Sequence, residues 1–450
     1  MAKIKDMTEG NPIRLMMQFS IPLLISNSLQ LLFTVVDSAV VGRLLGVNAF
    51  ASIGATASVH WLVLSLVFGM SHGFGTLMAQ RFGAKDMDAL RRAFVTAVYL
   101  AVIIGAVIGV AGLFACEPLM HLLKTPLVLL EGAVTYLSWL MAGLPLIFAY
   151  NLLAMTLYSL GDSKTPLLAM AVATVVNIAL DFALVFPFGI AGIALASLLA
   201  QSAALVYCFI ALRKTGVLDG CGRKIDTASI APLLRLALPL GFRNAVIEVG
   251  GLLVQRYVNG YGEEFVAGIA AAKRMYSLLM IAGGAIEASI VTFVAQNFGA
   301  GRFDRVKRGV SDGLKLALAS ALVVMAVSLP LGRNILALLI EGDPAQVAEV
   351  LDYGTRQLTL MALFLPVLYL LFLYRAALQG VGNTLIPMLS GFAELLMRVL
   401  SVILLTRIWG QWGVYLSDPL GWPVAVALLL TSYLIVFKKL SATANKQGAQ

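Results

Sequence analysis

The sequence predicts an all-α polytopic membrane protein, with twelve transmembrane helices in two pseudo-symmetric six-helix lobes. Composition predicts the helices: of 450 residues 60% are apolar, only 12% are charged, and the mean hydropathy is +0.92. A soluble domain carries about 25% charged and about 45–50% apolar residues. The apolar runs are continuous rather than alternating, which argues against a membrane β-barrel. The lobes are predicted by motifs of the first half that return in order in the second. Together these features exclude a soluble enzyme, a disordered hub and a secreted disulfide scaffold. Cys116, Cys208 and Cys221 are too few and too scattered for a disulfide framework or a metal knuckle and read as packing residues.

A helix needs about 20 apolar residues to cross the hydrocarbon core. Twelve windows qualify, at about 16–41, 52–77, 93–115, 133–158, 167–187, 190–212, 233–258, 265–294, 311–331, 354–379, 386–406 and 420–437. The intervening loops are short and leave no room for a soluble domain. The lipid bilayer is therefore the chain's main solvent.

The net charge of +9 follows membrane topology rather than a nucleic-acid surface. With the N-terminus cytoplasmic, the inner segments hold Lys3, Lys5, Arg14, Arg81, Lys85, Arg91, Arg92, Lys164, Arg213, Lys214, Arg223, Lys224, Arg302, Arg305, Lys307, Arg308, Lys438, Lys439 and Lys446. The outer segments hold only Arg43, Lys124, Arg333 and Arg407. This positive-inside bias predicts both termini in the cytoplasm, with the chain in the plasma (inner) membrane. No signal peptide is expected at the amino end, where a short apolar run and small-residue cleavage site are missing.

Ala79-Gln80-Arg81-Phe82-Gly83-Ala84 follows the second window, and Ala295-Gln296-Asn297-Phe298-Gly299-Ala300 follows the eighth. Pro22 matches Pro239, Pro145 matches Pro366, Pro166 matches Pro387, and Gly161-Asp162-Ser163 matches Gly382-Asn383-Thr384. The expected organisation is a lobe at 1–212, a cytoplasmic linker at 213–231 and a second lobe at 232–450. Six is even, so both lobes run in the same direction, related by an axis along the membrane normal. Transporters built from repeats hold substrate between the halves.

Carboxylates in mid-membrane face a bundle interior and mark function, because lipid does not solvate them. Asp37 falls late in the first window and Asp181 late in the fifth, so both belong at one depth in the outer half of the membrane. Asn177 stands one turn before Asp181 on the same helix face. Asn151 and Ser197 are placed to reach the same cavity. Such a group is a natural site for a proton or Na⁺. Pro22, about four turns before Asp37, permits a bend coupled to the charge on Asp37. In the second half, Arg243, Glu287, Glu394 and Arg398 share a depth and read as ion-paired, with Glu394 and Arg398 in the favourable i,i+4 order. Glu248 lies deeper and is the candidate there for a second cation or substrate contact.

There is no phosphate-binding Gly-x-x-x-x-Gly-Lys loop, and His60, His72 and His121 lack metal-ligand spacing. Neither an enzyme nor a bound cofactor is expected. The first helix closes on Val36-Asp37-Ser38-Ala39 with Gly42. Gly161-Asp162-Ser163-Lys164-Thr165-Pro166 follows later, then Asn177-x-x-x-Asp181 and Gly189-Ile-Ala-Gly192-Ile-Ala-Leu-Ala-Ser197. With the repeated Ala-Gln-x-Phe-Gly-Ala, these resemble the multidrug and toxic compound extrusion (MATE) family over essentially the whole chain. The resemblance implies a V-shaped protein exporting organic cations and amphipathic drugs by antiport against H⁺ or Na⁺, with a monomer expected. It further implies that Asp37, Asn177 and Asp181, with Asn151 and Ser197, form the cation site of the first lobe. Some Na⁺-coupled relatives carry acids on their seventh and tenth helices. Glu248 approximates the first, but the tenth window here has Arg375. The alternative is a flippase for lipid-linked oligosaccharide precursors, suggested by Arg243, Arg256 and Arg398.

Overall fold

The computed structural model describes residues 4–222, 224–340 and 342–447, with only the backbone for 441–447. Lys3 and Arg223, counted above among the inner cations, lie outside the described residues, as does the side chain of Lys446. The described residues are helical and contain no strand. The helices are α1 (Pro12–Leu44), α2 (Gly46–Gly83), α3 (Met87–Leu122), α4 (Leu127–Ala142), α5 (Leu144–Ser159) and α6 (Lys164–Lys214). They continue with α7 (Thr227–Val258), α8 (Glu263–Gly299), α9 (Phe303–Ala337), α10 (Pro344–Leu363), α11 (Leu365–Gly380) and α12 (Leu385–Leu400). A π-helical turn at Ser401–Leu405 leads into α13 (Thr406–Trp409), α14 (Trp412–Tyr415) and α15 (Ser417–Gln447).

Among the described residues nine helices are long and apolar enough to cross a membrane, or eleven when each bent pair counts as one span. The bent pairs are α4 with α5, at 51°, and α10 with α11, at 49°. Each pair fills one window read from the sequence, and each resumes with a proline in its first turn, Pro145 or Pro366. The fifth and sixth windows were expected as separate helices. They are two helices that meet at a kink without a loop, numbered together as α6, whose 51 residues break helical geometry only at Gly189 (φ 55°, ψ −131°). At 1.5 Å per residue that length is about 77 Å, enough for two crossings of a core of about 30 Å. Only glycine adopts this backbone without strain, so the chain reverses there without an intervening loop. Gly410 closes α13 with nearly the same angles, φ 56° and ψ −128°. With α6 counted as two crossings, the architecture is consistent with the twelve apolar windows.

Two compact units result. One comprises Met1–Met7 with Ile21–Gly241, and the other Thr8–Ser20 with Phe242–Gln450. Their boundaries do not fall in the 213–231 linker. In the first unit the early part of α7 packs on α2, contributing Leu233, Leu236 and Ala237 to a core with Phe74, Leu144 and Phe148. Close approach requires glycine on α2. A Cβ at Gly73 would stand 2.4 Å from the Ala237 Cα, and one at Gly69 2.4 Å from the Leu240 carbonyl oxygen. This is the small-residue spacing by which membrane helices gain dispersion contact where no hydrophobic drive exists. Both α1 and α7 pass from one unit to the other beside a proline, Pro22 or Pro239.

In the second unit Phe265 is ringed by Tyr261, Tyr353 and Tyr415, at centroid distances of 5.1, 5.3 and 5.5 Å. Val254, Val258, Val402 and Val414 complete that core. It lies beside the ends of α7 and the π-helical turn. It also borders the cavity described below.

Candidate functional site

The first unit buries an acidic cluster. On α6 the buried positions Ala173, Thr174, Asn177, Asp181 and Val185 recur at helical spacing, so the chain's apolar stripe carries three polar side chains inward. Asn177 and Asp181 have no exposed surface, and Asp37 of α1 retains 9%. The Asn177 side-chain amide donates to Asp181 Oδ1 at 3.3 Å. The Asp37 carboxyl lies close enough to the Asp181 carboxyl to share a proton with it, and Asn177 is nearby. Tyr136 of α4, 6% exposed, stands close enough to feel the charge of both aspartates. Val40, Val41, Leu137 and Val185 form an apolar wall in the same cluster of buried side chains.

Among the described residues no lysine, arginine or histidine forms an ion pair with Asp37 or Asp181. Asp37 Oδ1, Asn177 Oδ1 and Asp181 Oδ2 are buried without a hydrogen-bond donor. Three orphaned acceptors in one apolar place are costly unless a proton or cation serves them. Oxygen donors alone suit a hard cation such as H⁺ or Na⁺. Among the described residues no group of three or more His, Cys, Asp or Glu is assembled for a metal ion.

Asn151 and Ser197 are buried too, but no hydrogen bond joins either to the aspartates among the described residues. Asn151 spends its amide on the Ile147 carbonyl of its own helix at 2.8 Å. Pro22 is buried within a continuous α1. Tyr136 was not read from the sequence, because a lone tyrosine in an apolar window gives no local signal of what it faces.

The second unit pairs its charges internally, with partners other than those expected from spacing. Glu394 does not pair with Arg398. It ion-pairs with Arg375 of α11, and Arg375 Nε also donates to Ser390 Oγ at 3.1 Å. Arg398 pairs instead with Asp418 of α15 at 2.6 Å and donates to the Ile247 carbonyl oxygen at 3.0 Å. The reason is packing on both sides of α12: each charge meets a desolvated partner on a neighbouring helix, a stronger arrangement than an i,i+4 pair along one surface. Arg243 approaches Glu287 at 4.0 Å and donates to Asn244 Oδ1 at 2.9 and 3.1 Å. Glu248 is exposed, with Arg398 as its charged neighbour.

The MatE family model matches this chain twice, over residues 22–183 and 239–404. The two matches begin at Pro22 and Pro239, the prolines that register the internal repeat. The chain is 30% identical over 386 residues to the probable multidrug resistance protein YpnP of Bacillus subtilis (strain 168), covering 85% of this chain and 86% of the relative. It is 28% identical over 449 residues to the probable multidrug resistance protein YoeA of the same strain, covering 96% and 95%. Its fold matches the crystal structure of a MATE in the bent conformation with a TM-score of 0.89, at 22% identity and 98% coverage of both chains. A family model spanning both halves, joined to relatives matched along nearly their whole lengths, establishes that the chain belongs to the MATE family of multi-pass membrane transporters.

Proposed function

We propose that this chain exports organic cations and other amphipathic drugs across the plasma membrane in exchange for protons, which the Asp37–Asp181 pair carries. Its relatives are transporters, not enzymes, and those named above are described as probable multidrug resistance proteins. The observation that carries the coupling role is the set of three buried acceptor oxygens, on Asp37, Asn177 and Asp181, with no donor and no basic partner among the described residues. Two carboxyl groups close enough to share a proton need one between them, which favours H⁺ over Na⁺ as the coupling ion. A proton entering from outside neutralises the pair. Its release to the cytoplasm restores a negative site that a cationic substrate can neutralise in turn. The distribution of Lys and Arg supports a cytoplasmic location for both termini.

The flippase reading is not favoured. Of the three arginines that suggest it, Arg243 and Arg398 face Glu287 and Asp418, which leaves only Arg256 without an ion pair among the described residues, too little surplus charge for a pyrophosphate.

The deciding experiment is uptake of cationic dyes into inverted vesicles, with a pH gradient and a Na⁺ gradient imposed separately. Accumulation is expected with the pH gradient alone and is expected to be lost in Asp37→Asn at normal expression. Undiminished accumulation in that variant removes the pair from the mechanism.

A further inference from the structure

The internal repeat gives the Asp37–Asp181 site a counterpart in the second unit. Asp37 stands fifteen residues after Pro22, and Val254 stands fifteen after Pro239. Asp181 and Asn177 stand fifteen and eleven residues after Pro166, and Val402 and Arg398 stand at the same distances after Pro387. Gly189 and Gly410, whose backbone angles agree to within a few degrees, precede Ser197 and Asp418 by eight residues each. At this counterpart the second unit has a cavity: a space of ≈ 670 Å³ opens between the end of α7 and the π-helical turn, with Val254 and Val402 in its lining. Its chemistry is inverted. Both acids have become valine, and Arg256 and Arg407 line the same space together with Tyr257 and Tyr261.

We propose that this cavity holds an anionic phospholipid of the bilayer, its headgroup phosphate between Arg256 and Arg407 and an acyl chain along the valine floor. Neither arginine makes an ion pair or hydrogen bond among the described residues, and both are exposed. They sit in the last turn of α7 and in α13, the ends of two crossings that run in the same direction, so they reach one membrane face. Trp409 and Trp412, 56% and 44% exposed, stand at that end of the chain, as aromatic residues do at headgroup depth. An arginine pair provides forked donors for a phosphate, and the apolar floor excludes a small hydrated anion in favour of one carrying a hydrocarbon chain. A π-helical turn in a membrane helix widens the backbone where such a space is needed. The chemistry of this cavity is independent of the coupling role of Asp37.

The test uses the purified full-length protein, with lipid retention read by native mass spectrometry and by the thermal midpoint. Short-chain phosphatidylglycerol, phosphatidylcholine of the same chain length, and inorganic phosphate are titrated separately. Phosphatidylglycerol is expected to bind about thirtyfold more tightly than phosphatidylcholine, from two arginines at headgroup depth. That preference is expected to vanish in Arg256→Gln/Arg407→Gln and to persist in Arg43→Gln, a cation at the end of α1. Equal binding of the two lipids, or a preference surviving the double substitution, overturns the proposal. Stabilisation by inorganic phosphate equal to that by phosphatidylglycerol overturns it as well, since the site is then one for a free anion.

Discussion

Asn177 donates its amide to Asp181 Oδ1 across a single turn of α6, at 3.3 Å, and this bond leaves Asp181 Oδ2 and the amide oxygen of Asn177 without a donor. Asn177 therefore orients Asp181 but does not neutralise it. Asp37, arriving from α1, supplies a second acid rather than a base. The cluster is an acceptor site built by two helices that are distant in sequence.

If the two aspartates act as one proton carrier, their substitutions are not additive. Asp37→Asn and Asp181→Asn are each expected to lower proton-coupled dye efflux by about tenfold or more, and the double variant to lower it no further. Initial rates in inverted vesicles, normalised to expression, check this. Independent multiplicative losses would show two separate roles.

Tyr136→Phe removes one hydroxyl that feels the charge of both carboxyls, without changing the shape of the wall. Protein yield and thermal midpoint are expected to stay within about 1 kcal/mol of the parent. The pH at which efflux is half-maximal is expected to move, because the charge on the pair loses a polar neighbour. An unmoved pH profile would place Tyr136 outside the site's electrostatics.

Arg375 and Glu394 are both 4% exposed, so removing one partner strands a buried charge. Glu394→Gln is expected to cost about 3 kcal/mol or more, seen as a lower thermal midpoint in detergent. The double variant Arg375→Met/Glu394→Leu is expected to recover most of that loss, since it strands nothing. Failure of the double variant to recover would mean that the pair's hydrogen bonds, including the one to Ser390, matter more than its charge balance.

Glycine spacing on α2 makes a sharp contrast possible. Gly73→Ala places a methyl 2.4 Å from the Ala237 Cα and is expected to cost about 2 kcal/mol or more, because backbone must move. Gly54→Ala, on the same helix with nothing within 4 Å of the added carbon, is expected to stay within about 0.5 kcal/mol of the parent. Thermal midpoints of both variants check the packing of α7 on α2.

Cys221 lies between α6 and α7 and is the one cysteine of the three that is not buried. Burial of part of its surface pushes the thiol up, with Arg91 opposing and Asp219 adding to the shift. Only the thiolate reacts, so maleimide labelling is expected to be slow at neutral pH and to accelerate as pH rises past the ordinary thiol range of about 8.5. A membrane-impermeant maleimide is expected to label inverted vesicles and spare intact cells. Labelling of intact cells would reverse the topology drawn from the Lys and Arg distribution.

Much of this protein was legible in its residues alone. Continuous apolar windows require helices, because lipid leaves the backbone no other partner than itself. The recurrence of Pro22 as Pro239 and of Pro166 as Pro387 gave the duplication, and an uncompensated aspartate at position 37 in an apolar window marked the site. Asp181 and Asn177 followed from helical spacing, which is local. Spacing along one helix failed at Glu394 and Arg398. Their real partners, Arg375 and Asp418, sit on neighbouring helices whose faces only packing brings together.

The linear order of residues thus determined the lipid solvent, the crossings, the repeat and the acids, since each depends on hydropathy or on periodicity within one segment. Tertiary structure alone decided that Tyr136 stands beside the two aspartates, that α6 turns back at Gly189 without a loop, and that valines and arginines line the second unit's cavity. Those features depend on which helix faces which. That choice is made by close packing between segments 45 to 151 residues apart, and it leaves no periodic trace in either of them.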